Sequence, residues 1–377
     1  MRKIRVLVVD DSVVVRRLVT NVLSNEPGFE VVGGAANGRI CLAKLTQVNP
    51  DIITLDVEMP VMDGLETLRE IRKTHPRLPV IMFSTLTHRG AEATLDALSL
   101  GASDYVTKPS SVGGVSAAVE AIRQALVPKI RSLVEAAQMR ETALERTSAV
   151  TVPPPAVVRA VIRPKVEVAF PGRIDLLVIG TSTGGPNALA EVLPHLPKDF
   201  PIPILIVQHM PPLFTKLLAE RLRASSQISV EEGFAGAVIE PGKAWIAPGN
   251  YHMTVEQKRE KVELRTSQDP PENSCRPAVD VLFRSVVNVY GSYVLGVVMT
   301  GMGQDGLRGC ERIKEAGGQV LVQNEASSVV WSMPGAVANA GLADDIFPRD
   351  ALGPQIVRRV LKDAVSFAGA RKETVGA

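Results

Sequence analysis

The sequence predicts an α/β protein built from two doubly wound parallel sheets. Three observations point there. The chain has 377 residues, more than one ordinary core holds. Short apolar runs alternate with amphipathic stretches in each half, the pattern of strand–helix–strand units whose sheets are covered on both faces. A proline-rich segment separates the halves.

In the first half, strands are read at 4–9 (IRVLVV), 29–35 (FEVVGGA), 51–55 (DIITL), 79–83 (PVIMF) and 102–107 (ASDYVT), with helices between them such as 13–24 and 38–47. Residues 129–146 have the composition to continue a helix. Pro128 and the run Pro153–Pro155 nevertheless mark 128–171 as a linker, semi-rigid around the prolines. In the second half, strands are read at 174–180, 202–208, 244–248, 293–300 and 319–324. Helices are read at 185–196, 212–225, 278–289, 306–317 and 334–343. Residues 244–267 read as antiparallel hairpins inserted in this frame. The expected division is a first domain at 1–127, the linker, a second domain at 172–367 and a disordered tail at 368–377.

Composition narrows the function. A net charge of +2 gives no electrostatic case for nucleic acid, and 4% aromatic residues leave little for base stacking. Cys41, Cys275 and Cys310 show neither CxxC nor zinc spacing; they read as small apolar residues in a reducing cytosol. The N-terminal apolar run is too short for a signal peptide. The apolar stretch 286–302 is interrupted by Asn288, Gly291, Ser292 and Gly296, so it reads as a helix end, a turn and a buried strand rather than a membrane span.

Chemistry-bearing residues stand at strand ends, where ligands bind in open parallel sheets. Asp10 and Asp11 end the first strand, Asp56 the third and Ser84 the fourth, and Lys108 follows the fifth. Three carboxylates brought together repel one another, and a hard divalent cation such as Mg2+ relieves the repulsion. An Asp oxygen beside it is a nucleophile for phosphoryl transfer, with the lysine charge matched to phosphoryl oxygens. A single such Asp would more simply cap a helix; five residues at four strand ends are not explained that way.

The motifs VLVVDDS, DIITLDVEMPVMDGLETLREIR, PVIMFST and GASDYVTKP resemble the receiver domain of two-component response regulators, a flavodoxin-like fold. The resemblance implies Asp56 as phospho-acceptor, with Asp10, Asp11, Asp56 and the Glu58 backbone carbonyl holding Mg2+. It implies Ser84, Tyr105 and Lys108 as the switch hydroxyl, switch aromatic and phosphate-sensing lysine, a cis Lys108–Pro109 bond, and a histidine kinase as phospho-donor.

The second half carries GTSTGG at 180–185. Read as a phosphate cradle it lacks the Lys-Ser/Thr of a P-loop and the G-x-G-x-x-G spacing. It matches G-x-S-x-G, a strand-to-helix turn that lifts Ser182 above the sheet edge; a plain small-residue loop is the competing reading. His209 ends the next strand, and Asp305 lies in the loop after 293–300. Together they offer a nucleophile, a base and an orienting acid. His252 stands as an alternative base, while His195 reads as a surface or cap residue. Backbone N–H groups around Thr183 and Met302 are candidates for an oxyanion site.

GTSTGGP, VQHMPPLFTKLLAERL, SCRPAVDVLF, MTGMGQDG and SMPGAVANAG resemble the catalytic domain of the chemotaxis protein-glutamate methylesterases, a Rossmann-like domain. The resemblance implies Ser182, His209 and Asp305 as the triad, with Thr183 and Met302 as accessory positions and no cofactor for ester hydrolysis. The implied substrates are glutamate methyl esters on chemoreceptor cytoplasmic helices, hydrolysed in the cytoplasm by a protein that is not membrane-embedded. Some members also deamidate receptor glutamines. Arg276 reads either as a contact to the acidic substrate helix or as a surface residue. The alternative function is a response regulator whose second domain only binds a protein partner.

Overall fold

A computed structural model describes residues 2–108, 114–149 and 173–373. The first five strands are β1 (Ile4–Val9), β2 (Phe29–Ala35), β3 (Ile52–Asp56), β4 (Val80–Ser84) and β5 (Asp104–Thr107). They form one parallel sheet in the order β2-β1-β3-β4-β5. Its helices are α1 (Val13–Ser24), α2 (Gly38–Val48), α3 (Gly64–Thr74), α4 (His88–Ser99) and α5 (Gly114–Ala149). Local chemistry starts them. Ser12, Asn37, Asp63 and Thr87 each cap a helix N-terminus through a side-chain oxygen, and Asp63 with Glu66 forms a full capping box. Val6–Val9 and Ile52–Leu55 are buried without interruption, as strands covered by helices on both faces must be.

The sequence put a boundary at Pro128. Instead α5 runs through Pro128 to Ala149. Ile122, Leu126, Ile130, Leu133 and Val134 bury one continuous stripe against the first sheet. That packing carries the helix past the proline into the stretch 129–146, whose composition already allowed a helix. Pro109 and Pro153–Pro155 lie outside the described residues, as do residues 374–377; of the expected tail, 368–373 continue the last helix.

The second domain begins with β6 (Leu176–Thr181), α6 (Gly185–Val192), β7 (Ile204–Gln208), α7 (Phe214–Ser225), β8 (Ser229–Glu232) and β9 (Lys243–Ile246). It continues with β10 (His252–Lys258), β11 (Lys261–Ser267), α8 (Val279–Tyr290), β12 (Val294–Val298) and α9 (Leu307–Glu315). It ends with β13 (Gln319–Gln323), α10 (Ser332–Asn339), β14 (Asp345–Phe347) and α11 (Arg349–Glu373). Seven strands form a parallel sheet, β14-β13-β12-β6-β7-β9-β8, and β10–β11 is a separate antiparallel hairpin. One hairpin is present where the sequence suggested several, because residues 243–246 pair in parallel with β7 and β8. The short edge strands β8 and β14 were not read from sequence. Among the described residues no helix is long and apolar enough to cross a membrane.

The chain leaves the centre of this sheet at β6, builds outward through β7, and returns on the other side of β6 at β12. This reversal opens a crevice at the carboxyl ends of β12, β6 and β7. The turn after β6 needs two of its glycines. Gly184 has φ +79° and a side chain there would strike Val329, while a Cβ at Gly180 would lie 2.4 Å from Val279 Cγ1 on α8. We expect Gly180→Ala to destabilise the second domain by about 1–3 kcal/mol through overpacking, read as a lower urea midpoint with an unchanged slope.

Candidate active site

Ser182, His209 and Asp305 follow three neighbouring strands, β6, β7 and β12. Ser182 is held by its backbone: its N–H donates to Thr300 O at 3.0 Å, and its carbonyl accepts from Gly185 N and Gln208 Nε2. Gly301 closes against it, since a Cβ there would lie 2.9 Å from Ser182 Cβ. The Ser182 N–H is thus spent, whereas those of Thr183 and Met302 meet no acceptor among the described residues.

His209 Nε2 lies 2.7 Å from Asp305 Oδ2, and its Nδ1 faces Cys275 Sγ at 3.6 Å. With Asp305 on Nε2, Nδ1 is the nitrogen left for a nucleophile. No hydrogen bond joins the Ser182 hydroxyl to His209 among the described residues, but both side chains line one small cavity with Thr183 and Gln208. Asp305 is 2% exposed and saturated. Its Oδ2 also accepts from Val279 N, and its Oδ1 from Asp280 N, Gly306 N and Asn273 Nδ2. Burial works against its charge, but the bond to His209 and the backbone donors hold it below the ordinary carboxylate range. Burial likewise opposes an imidazolium at His209, and the Asp305 bond and Cys275 contact outweigh it, raising the ring to about 10.

The other wall of the cavity comes from the first domain: Leu98, Asp104, Tyr105 and Lys129. Thr183 Oγ1 donates to Asp104 Oδ2 at 2.6 Å, and Lys129 Nζ pairs with the same carboxylate at 2.9 Å. Tyr105 stacks on Phe214 of α7, centroids 4.8 Å apart and planes within 7°. Asn187 donates to Leu98 O, Arg221 pairs with Asp96, and Arg140 of α5 donates to Ser328 O and Val329 O. Met302 packs against the apolar cluster that contains Val330, Ile130 and Leu133.

At the first sheet, carboxylate oxygens of Asp10, Asp11 and Asp56 lie within 4.8 Å of one another. Lys108 Nζ bridges Asp10 Oδ2 at 2.9 Å and Asp56 Oδ2 at 2.7 Å. Neither of these buried oxygens takes any other hydrogen bond. This hard, oxygen-only and under-satisfied donor set fits Mg2+. Glu58 N lies 3.4 Å from Asp56 Oδ1. Ser84 Oγ donates to Gly90 O at 2.9 Å, on the α4 side. Burial raises Asp56 to about 6, helped by the Asp10 charge and opposed by the Lys108 bond.

Other sequence candidates are accounted for differently. His252 is buried, bonded to Pro270 O, and does not line the cavity; His195 packs on α11. The Arg276 guanidinium donates to Asn250 Oδ1 and to the carbonyls of Gln268 and Asp269, which ties loops together. Cys41 and Cys310 are buried as expected, but Cys275 is partly exposed and set against His209. Asn273, Asp280, Asp104 and Phe214 were not singled out from sequence. The Asn-Ser pair of a tight turn at 273–274 was the one available signal, and only for Asn273.

A receiver-type sheet with a phosphoryl-ready acid cluster, joined to an α/β domain with its own polar crevice, defines a response regulator with an α/β output domain. The comparisons narrow this. The model of the response regulator receiver domain matches residues 6–120, and that of the CheB methylesterase family matches 177–356. A protein-glutamate methylesterase/protein-glutamine glutaminase of Trichodesmium erythraeum is 54% identical over 96% of this chain and 100% of its own length. One of the same name from a Nocardioides species is 51% identical, over 98% and 99%. The solved catalytic domain of Thermotoga maritima CheB methylesterase is 39% identical, covering 50% of this chain and 100% of that one with a TM-score of 0.49. The chain belongs to the protein-glutamate methylesterase/protein-glutamine glutaminase family.

Two pH effects follow. Because Asp56 titrates near 6 when folded against 3.8 for the free group, the protonated form favours folding, and that contribution is lost as pH rises through about 6. In metal-free buffer, Asp56→Asn is therefore expected to flatten the pH dependence of first-domain urea midpoints between those values. His209 titrates near 10 against 6.5, so its pairing stabilises fully below 6.5 and fades as pH rises through about 10. In Asp305→Asn the ring is expected to titrate far lower, as read by imidazole NMR shifts.

Proposed function

We infer that this chain hydrolyses glutamate methyl esters on chemoreceptor proteins, releasing methanol, and deamidates receptor glutamines at the same site. The hydrolysis is controlled by phosphorylation of its receiver. The observation that carries the reading is the 2.7 Å bond of His209 to Asp305 at the sheet rim where Ser182 lines the same cavity. In this reading Ser182 Oγ attacks the ester carbonyl and passes its proton to His209 Nδ1. His209 returns it to the departing methanol, and water completes hydrolysis of the acyl-serine. Asp305 fixes the tautomer and stabilises the imidazolium. The N–H groups of Thr183 and Met302, which meet no acceptor among the described residues, would hold the oxyanion, each worth about 2.7–4 kcal/mol in comparable sites. Amide hydrolysis uses the same groups with ammonia leaving.

In the receiver, Asp56 is the phospho-acceptor and a histidine kinase the donor. Asp10, Asp11, Asp56 and the Glu58 carbonyl would hold Mg2+, which neutralises charge on the phosphoryl oxygens. Lys108 then exchanges carboxylates for a phosphoryl oxygen, and Ser84 turns from Gly90 towards it. Leu98, Asp104, Tyr105 and Lys129 wall the hydrolytic cavity, which supports a resting state in which the receiver blocks the substrate helix. The substrates lie on cytoplasmic receptor helices, which places the enzyme in the cytoplasm. A purely protein-binding output leaves the His209–Asp305 couple unexplained.

Methanol release from methylated receptor, with and without a small-molecule phospho-donor and Mg2+, tests this reading. The wild type is expected to be activated by the donor. Ser182→Ala is expected to lose about a thousandfold or more of the activity while still accepting phosphate at Asp56. Asp104→Ala is expected to raise activity without donor. Undiminished methanol release by Ser182→Ala would defeat the nucleophile assignment.

A further inference from the structure

The segment between β11 and α8 folds back over the hydrolytic centre in a way its composition explains. Glu272 and Cys275 exchange backbone hydrogen bonds of 3.1 and 2.9 Å, closing a two-residue loop. Asn273 and Ser274 within it have φ +51° and +62°. That is the type I′ turn, which needs left-handed backbone at both central residues, a conformation Asn tolerates. The turn is braced at its root. Glu272 takes both terminal nitrogens of Arg284 on α8, at 2.7 and 2.5 Å, and Arg276 is tied to Asn250, Gln268 and Asp269.

The braced turn reaches both ends of the His209–Asp305 couple. On one side, Cys275 Sγ faces the ring's Nδ1. On the other, Asn273 Nδ2 donates to Asp305 Oδ1 and to Asp280 Oδ2, each at 2.9 Å. An amide nitrogen has two hydrogens, so both are committed. Asp280 is itself buried and receives Gly306 N and Gly309 N. Two buried carboxylates thus stand close together, bridged by the Asn273 amide and by the Gly306 N–H, each of which donates to both. The charged or titratable groups facing this cluster are His209, Cys275, Glu272 and Arg284, with Arg308 and Cys310 of α9 on the Asp280 side and Asp104 and Lys129 across the cavity.

We propose that Asn273 is a positioning residue for the hydrolytic reaction: its amide holds the Asp305 carboxylate in the orientation that keeps Oδ2 on the His209 ring and separates it from Asp280. This rests on the reading that Ser182, His209 and Asp305 carry the chemistry. Asn273 touches none of the reacting atoms; it acts through Asp305. Without the amide, Asp305 Oδ1 keeps two backbone donors, one of them the Gly306 N–H it shares with Asp280, but loses the side-chain donor that bridges the pair. The carboxylate pair then relieves its repulsion by rotating or by sharing a proton, and either change misaligns the base. Burial already raises Asp280 to about 6, with the Asp305 charge adding to the rise, in keeping with a pair near that limit.

The test uses the full chain with phospho-donor and Mg2+, methylated receptor as substrate, and two glycine variants. Glycine adopts left-handed backbone freely, so Asn273→Gly keeps the turn and removes only the amide, while Ser274→Gly changes the neighbouring turn residue and keeps the amide. Asn273→Gly is expected to lower kcat on the order of 10- to 100-fold with KM nearly unchanged, and to move the downfield His209 ring N–H resonance. Ser274→Gly is expected to match the wild type in both. Wild-type kcat and an unmoved resonance in Asn273→Gly would overturn the proposal, as would an equal loss in Ser274→Gly. The resonance is read without turnover. If the wild type released no methanol at all, the hydrolytic reading would fail while the Asn273–Asp305 coupling was still decided.

Discussion

Asp305 sits 2% exposed, and a carboxylate there stays charged only if protein donors replace the water it has lost. The fold supplies them from separate stretches: backbone N–H groups of Val279, Asp280 and Gly306, the Asn273 amide and the His209 ring. Hydrogen bonds to a charged group are worth about 1.5–3 kcal/mol each, so this set offsets an effective burial cost of several kcal/mol. The start of α8 is also a favourable place for an anion, since its first N–H groups have no partner inside the helix. The orientation of the His209 ring depends on this one satisfied charge.

The receiver's acid cluster is built on the opposite principle. Asp10 and Asp56 each leave a buried oxygen with only the Lys108 ammonium beside it. Burial and mutual repulsion raise Asp56 instead of lowering it. A carboxylate poorly satisfied by protein is available to a cation and a phosphoryl group; one saturated by protein is available only to orient its neighbour. The same residue type is thus left under-satisfied in one domain and saturated in the other.

Between them lies an interface suited to being broken. The exposed Arg221–Asp96 pair contributes at most about 1 kcal/mol. The weight falls on the Tyr105–Phe214 stack, the apolar face of α4 and the buried Thr183–Asp104 bond. Interfaces of this kind within one chain are modest and reversible. Its position is informative: Asp104 and Tyr105 open β5, the edge strand whose other end leads to Lys108, while Thr183 follows Ser182 directly. The Thr183–Asp104 bond thus joins β5 to the residue next to Ser182.

Much of this was legible in the residues. Apolar runs, caps and the alternation of strand and helix determined two parallel sheets, because those signals are local and repeat many times along the chain. Acids, a hydroxyl, a serine, a histidine and a lysine at strand ends named the two sites, since a parallel sheet gathers its strand ends at one rim. Residues 129–146 had the composition of a helix, but that α5 would pass through Pro128 unbroken was not legible, because long-range burial of Ile130, Leu133 and Val134 overrides a local breaker. Nor were Asn273, Cys275 and Asp280 as neighbours of His209 and Asp305, or Asp104 as the partner of Thr183. Those pairings join residues far apart in sequence and are set by how a turn and two domains close upon each other. The tertiary structure alone decides which donor meets which charge.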